Sequence, residues 1–327
     1  MSKNCLSYIK DVLCPLKSVL AGKQIELENV ADKTGRNAEL KANGKQPYEY
    51  RDYQKNAVEA LLMRGYGRGL IEIPTSGGKS FILANFIWNI HKHICNDYKV
   101  MIFVPNVQLV TQFYKDLIDY GYDKRCLAKF CGSMSTKECK QNDVNSAKII
   151  IANRQYVYTN KDALPKVDVL VVDEVHQATA KSSMQYILSS DAKVKIGCTG
   201  TLPKEMNHLW ELYGMFGKVV YREDVNDLQA QGFISKLKIT LLDIFLKKVN
   251  QNKDYLFHMN PNYKYKPDEF GNSDVLFNEA FTSEQDFYAK EYEMLYTPVM
   301  KYLNTLQENV LVLFDRIEIG KGIFEIA

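Results

Sequence analysis

Short runs of consecutive apolar residues alternate along this chain with longer stretches in which apolar positions recur three or four apart. The runs fall at 70–74, "KVMIFV" at 99–104, "KIII" at 148–151, "VDVLVV" at 167–172 and "VKIGC" at 194–198. A run of this length without polar alternation predicts a strand buried on both faces. Strands separated by helical stretches predict an α/β fold, a parallel sheet with helices over both faces. Upstream of the first run, Asp52 suits a cap for a helix carrying Ala57, Val58, Leu61 and Leu62 on one face, with Arg64 and Gly65 at its end.

The pattern is weaker at both ends. Leu6, Ile9, Leu13 and Leu16 share a helical face that Pro15 weakens, and 29–46 is polar with Gly35 and Gly44, so 1–46 is expected to be an accessory segment. The main lobe is expected over 47–235. Its last helix is "DVNDLQAQGFIS" at 224–235, ended by Gly232. A strand near 237–246 leads into a Tyr- and Asn-rich stretch from Lys247 to Asp274 containing Pro261 and Pro267, and a helix follows near 283–306. We expect a linker or insertion over 236–306. "NVLVLF" at 309–314 predicts a further buried strand, so 307–327 is expected to open a second lobe that is not completed.

At 327 residues the chain has room for about two domains, each with a substantial core. Its 46% hydrophobic and 25% charged residues exclude a disordered tail or a fibre. No run reaches the length a membrane span needs, and the expected location is the cytoplasm, that of a bacterial host if a phage encodes the chain. A net charge of +3 names no partner; a nucleic acid would have to meet a local basic surface. Among the seven cysteines, Cys126, Cys131 and Cys139 are spaced by five and eight residues, which is not a paired zinc spacing, so reduced thiols are expected.

"IEIPTSGGKSF" at 71–81 brings chemistry. A strict phosphate loop has Gly, four residues, then Gly-Lys-Ser/Thr, and here Ile73 stands at the first glycine. The working parts remain. Gly77 and Gly78 allow backbone N–H groups to approach phosphate oxygens at a helix N-terminus. Lys79 can reach the outer phosphates, and the Ser80 hydroxyl can bind magnesium. "VDVLVVDEVH" places two carboxylates at a strand end, 94 residues after Lys79. Asp173 suits a nucleotide-borne magnesium, and Glu174 can orient and deprotonate an attacking water.

The phosphate loop, Asp-Glu-x-His and "TGT" at Thr199–Thr201, in this order, resemble the superfamily-two helicases and translocases. "RDYQ" at 51–54 looks like the family's adenine motif, "VPNVQLVTQF" at 104–113 and "IANRQ" at 151–155 are similar to its DNA-contacting motifs, and "NVLVLFDRIEIGKGIFE" resembles the motif opening its second RecA-like lobe. "YQKNAV", "IPTSGGKS", "DEVHQATAKS" and "YGMFGKV" resemble its phage recombination and fork-remodelling branch over about 48–327. The resemblance implies a RecA-like lobe using ATP and Mg²⁺ to drive DNA remodelling. It implies that Arg51, Tyr53, Gln54, Thr75, Ser76, Gly77, Gly78, Lys79 and Ser80 hold the nucleotide, with Gln54 on the adenine edge. Ser80 and Asp173 would hold the metal, Glu174 the water, and His176, Thr199 and Thr201 would link hydrolysis to lobe movement. Asn106, Gln112, Asn153 and Arg154 would contact a DNA strand, mainly at phosphates.

The family's motifs V and VI, including the arginine that stabilises the transferring phosphoryl group, are absent from these residues, as is a larger N-terminal DNA-binding domain. Very slow hydrolysis is therefore the expectation for this chain, with a second polypeptide as a candidate supplier of the missing lobe. Two alternatives stand beside the DNA-remodelling reading. One is another motor of the superfamily, a restriction-type translocase or RNA helicase. The other is a non-catalytic ATP- and DNA-binding lobe of a split enzyme.

Overall fold

A computed structural model describes residues 16–132, 144, 146–160, 164–179, 181–235 and 304. The chain divides into two compact units, 1–236 and 237–327, and Asn304 is the one described residue of the second. The elements expected at 237–246 and 309–314, that at 283–306 apart from Asn304, the bounds 236–306 and 307–327, and Leu6, Ile9 and Leu13 lie outside the described residues.

The described part of the first unit carries a seven-stranded parallel sheet: β1 (Arg68–Glu72), β2 (Val100–Val104), β3 (Leu127–Phe130), β4 (Ile149–Asn153), β5 (Val169–Val172), β6 (Val194–Thr199) and β7 (Val219–Arg222). The strand order is β3-β4-β2-β5-β6-β1-β7. The helices are α1 (Lys17–Leu20), α2 (Val30–Lys33), α3 (Arg36–Ala42), α4 (Asp52–Glu59), α5 (Lys79–His93), α6 (Val107–Asp119), α7 (Arg154–Thr159), α8 (Lys181–Ser189), α9 (Met206–Phe216) and α10 (Val225–Ala230).

The unbroken apolar runs are explained by two core layers, because successive side chains in a strand point to opposite faces. Val100, Ile102 and Val104 of β2 pack with Val58, Phe86 and Phe113 from α4, α5 and α6. Met101 and Phe103 pack on the other face with Val157, Ile187 and Leu212 from α7, α8 and α9.

β3 and β7 were not predicted. Each has four residues and a polar position, Lys129 or Arg222, and each is an edge strand, so neither gives an apolar run. The α4 helix also differs from expectation. Arg51, not Asp52, is its N-cap, and its backbone N–H donates to Gln54 Oε1 at 3.1 Å. α4 ends at Glu59, and a π-helical turn, Ala60–Arg64, carries Leu61 and Leu62 into the core.

The described part of the presumed accessory segment is integral to the lobe. Leu16, Leu20 and Val30 join the first core layer. Asn85 and Asn89, fully buried on α5, hold the segment: Val30 N–H donates to Asn85 Oδ1 at 2.9 Å and Glu28 N–H to Asn89 Oδ1 at 3.0 Å. Packing therefore crosses the boundary at residue 46, which the polar composition of 29–46 concealed.

Candidate functional site

Three adjacent strand ends bring the sequence-distant residues together. β6 lies between β5 and β1, with Glu72 opposite Thr199 and Val172 opposite Gly197. The segments leaving β1, β5 and β6 therefore open on one edge of the sheet, the outer two about 10 Å apart at normal strand spacing. Ligand crevices in parallel α/β sheets form at such strand C-termini.

The loop from β1 to α5 shows why Ile73 is tolerated. Ile73 is fully buried, and its N–H donates to Thr199 O at 2.9 Å, extending the strand by one residue before the turn. Ser76 and Gly78 have left-handed backbones, φ +66° and +75°. The backbone at Gly78 favours glycine, and a Cβ there would lie 2.5 Å from Gln54 Nε2 and displace that amide. Lys79 Nζ reaches Ile73 O at 3.5 Å and Glu174 Oε1 at 3.4 Å. Gly200 lies over the loop, where a Cβ would be 3.3 Å from Thr75 Oγ1 and 3.6 Å from Lys79 Nζ. A glycine turn at a helix N-terminus with an adjoining lysine and paired carboxylates fits a polyphosphate carrying a divalent cation.

Asp173 is 4% exposed, and burial raises its carboxyl above the ordinary range. The Cys198 thiol donates to Asp173 Oδ1 at 3.1 Å, and burial pushes that thiol's own titration well up. Glu174 has φ +47°, a conformation that costs a non-glycine residue about 1–2 kcal/mol and is retained where the surroundings impose it. Here Glu174 Oε2 lies 3.3 Å from His176 Nδ1 and 3.4 Å from Thr199 Oγ1.

Thr199 is fully buried at the centre of this network. Its Oγ1 has one proton, accepts from Thr201 N–H at 3.2 Å, and meets Thr201 O at 2.9 Å and His176 Nδ1 at 2.7 Å. One proton serves either Thr201 O or Glu174 Oε2, at 2.9 and 3.4 Å, and in both cases the Thr199 oxygen accepts from Nδ1 of His176. Thr201 contributes backbone atoms to this network, and its side chain is exposed.

Arg51, Tyr53 and Gln54 converge on the same loop. Tyr53 Oη donates to Gly77 O at 2.8 Å, Gln54 Nε2 to Gly77 O at 3.4 Å, and Arg51 Nη1 to Tyr53 Oη at 3.2 Å. Beside them opens a cavity of about 590 Å³ lined by residues including Tyr48, Gln54, Gly78, Phe81, Tyr120 and Phe233. Ser80 Oγ pairs with Tyr120 Oη at 3.0 Å on this side, and no described contact joins it to Asp173.

The residues expected on DNA separate into different situations. Asn106 and Asn153 are helix N-caps, accepting from Leu109 N–H at 2.9 Å and Tyr156 N–H at 3.1 Å. Asn153 Nδ2 also donates to Pro105 O at 3.1 Å, joining the two loops. Gln112 is exposed on α6. Arg154 departs from expectation: it is 7% exposed, donates through Nη2 to Gln177 Oε1 at 3.0 Å, and lies within the field of Asp173 and Glu174. Burial lowers its titration and removes it from a surface that a strand could touch.

Sequence reasoning missed Cys198, Tyr120 and Phe233. Cys198 follows from the strand that carries Thr199, but a lone thiol among apolar residues gives no signal. Tyr120 and Phe233 stand at helix ends, and only folding brings them beside the loop.

Residues 47–204 match the family described as type III restriction enzyme, res subunit. The ATP-dependent DNA helicase uvsW of Enterobacteria phage T4 is 28% identical over 282 residues, covering 84% of this chain and 50% of that protein. The general transcription and DNA repair factor IIH helicase/translocase subunit XPB of Dictyostelium discoideum is 22% identical over 244 residues, covering 67% of this chain and 29% of that protein. The crystal structure of the UvsW helicase from bacteriophage T4 matches with TM-score 0.45 and 28% identity, covering 54% of this chain and 61% of that one. The chain spans half or less of the length of these curated relatives.

Proposed function

We propose that this chain, which over residues 47–204 matches the type III restriction enzyme res-subunit family and resembles an ATP-dependent DNA helicase, is a superfamily-two motor lobe that binds ATP with Mg²⁺ and serves in remodelling branched DNA. The observation that carries the reading is the convergence of Lys79, Glu174, His176 and Thr199 on one strand edge. Lys79 would hold the outer phosphates, while Thr75, Ser76, Gly77 and Gly78 would wrap them with backbone N–H groups, that of Gly77 after leaving Pro74 O, to which it donates at 2.9 Å. Bound Mg²⁺ would supply charge neutralisation of the phosphates.

Asp173 and Ser80 would be the protein's metal ligands, Ser80 after its hydroxyl leaves Tyr120. Glu174 is the base that would accept the proton of an attacking water, and His176 and Thr199 orient its Oε2. Because Thr199 also pairs with the Thr201 backbone, a change at the base passes to the β6 loop, a route by which hydrolysis would be coupled to lobe movement. Arg51, Tyr53 and Gln54 set the position of Gly77 and would read the base. Asn106, Gln112 and Asn153 would lie along the DNA backbone, positioning a strand without specifying sequence. A second motor lobe, on this chain or on a partner polypeptide, completes the phosphate site in this proposal.

The test is equilibrium titration of the purified chain with ATP, with and without Mg²⁺, followed by hydrolysis assays with forked DNA, linear duplex and RNA. Magnesium-dependent binding that Lys79→Ala weakens at least tenfold, with forked DNA stimulating most in the complete motor, is expected. Absence of magnesium-dependent binding would sink the nucleotide reading. A preference for linear duplex would favour restriction-type translocation, which the matched family's description also suggests.

A further inference from the structure

We propose that Phe233 is the aromatic wall on which the nucleotide base stacks, making it a specificity-determining residue of this site; the inference rests on the nucleotide reading above. Leu228 of α10 is fully buried in the core and anchors the helix end. Gly232, at φ +74°, then reverses the chain. Gly232 N–H donates to Gln229 O at 3.2 Å and Phe233 N–H to Leu228 O at 2.9 Å, the paired bonds of a Schellman cap. The cap ties the Phe233 backbone directly to the carbonyl of buried Leu228.

The ring has a cationic and an aromatic neighbour and also lines the cavity. Arg51 places its guanidinium 4.4 Å from the ring centroid, and the Tyr53 ring lies 5.9 Å away in a tilted contact. Both residues belong to the group that holds Gly77 O. Phe233 nevertheless remains 36% exposed and lines the cavity. The same cavity is lined by Tyr48, Phe81 and Tyr120, whose rings contact one another edge-on or tilted at 5.0–6.2 Å. A space walled by aromatic rings, with the amide of Gln54 at its edge and the phosphate loop beside it, is suited to a flat heteroaromatic base. A helix-end phenylalanine serving only the core would be buried; this one is partly exposed and lines the cavity that Gly78 also lines. Stacking on an aromatic side chain is worth enough per base to change affinity about tenfold.

The experiment titrates the full chain, wild type and variants, with ATP and separately with inorganic tripolyphosphate, both with magnesium. Phe233→Ala is expected to weaken ATP binding about tenfold while leaving tripolyphosphate unchanged, and Phe233→Tyr to retain both affinities. Phe233→Leu, which keeps bulk without the ring, is expected to behave as the alanine variant and decides the matter if that variant does not fold. Unchanged or tighter ATP binding by the alanine and leucine variants overturns the proposal while the nucleotide reading stands. Equal loss of ATP and tripolyphosphate also overturns it, since a structural fault spares neither. A wild-type chain that binds neither ligand sinks both readings.

Discussion

At Glu174 a left-handed backbone, the Lys79 ammonium, His176 and the Thr199 hydroxyl fix one carboxylate. The amide in Glu174→Gln keeps the shape and loses the base. Magnesium–ATP affinity is expected to stay within a few fold while single-turnover hydrolysis falls about 10²–10⁴-fold. Thr199→Val removes the proton donor to Thr201 O and the acceptor for Thr201 N–H in a fully buried place. It is expected to destabilise the chain by about 1–3 kcal/mol in chemical denaturation and to slow hydrolysis. The roles that Lys79, Asp173 and Glu174 would fill were legible because backbone-fixed loops and strand ends need those residue types at those points. Arg154 was not: an arginine in a loop reads as a surface cation, and only packing turns it inward to Gln177.

At the scale of elements, capping and buried polar pairing carry information that periodicity lacks. Gly232→Ala places a side chain at φ +74° and is expected to cost about 1 kcal/mol in thermal unfolding. If Phe233 is held by this cap, the same variant also loses ATP affinity while keeping affinity for tripolyphosphate. Asn85→Leu leaves Val30 N–H without its partner inside the core. A loss of about 1–3 kcal/mol is expected, together with faster proteolysis near 28–30. The five apolar runs became strands with bounds shifted by two residues or fewer at each end, because a strand buried on both faces cannot hide its composition. Edge strands β3 and β7 gave too little apolar sequence to stand out. The stretch 29–46 was polar in composition, yet the segment it belongs to is anchored by a few buried contacts with α5.

For the molecule as a whole, Lys195 places a charge within the sheet. It is 5% exposed on β6, donates to Ile187 O in the last turn of α8 at 2.8 Å, and burial lowers its titration from 10.5 to about 8. Between those values the unfolded chain binds more protons than the folded one, so this group makes stability rise with pH from about 8 to 10.5. Lys195→Met is expected to flatten that rise and to add about 1–3 kcal/mol at pH 7, read by denaturant unfolding across pH. Among the described residues no helix is long and apolar enough to cross a membrane.

The sequence by itself determined the fold class and placed a Gly-Gly-Lys-Ser turn and an acid pair at strand ends, since unbroken apolar runs, glycine turns and strand-end carboxylates are local consequences of local residues. Tertiary structure alone decided that β6 separates β1 from β5, that Thr199 joins Glu174 to His176, and that Phe233 and Tyr120 stand beside the loop. The reason is physical: residue type and spacing govern backbone conformation over a few positions, whereas neighbours across a sheet are set by strand order and helix packing, which no short stretch encodes.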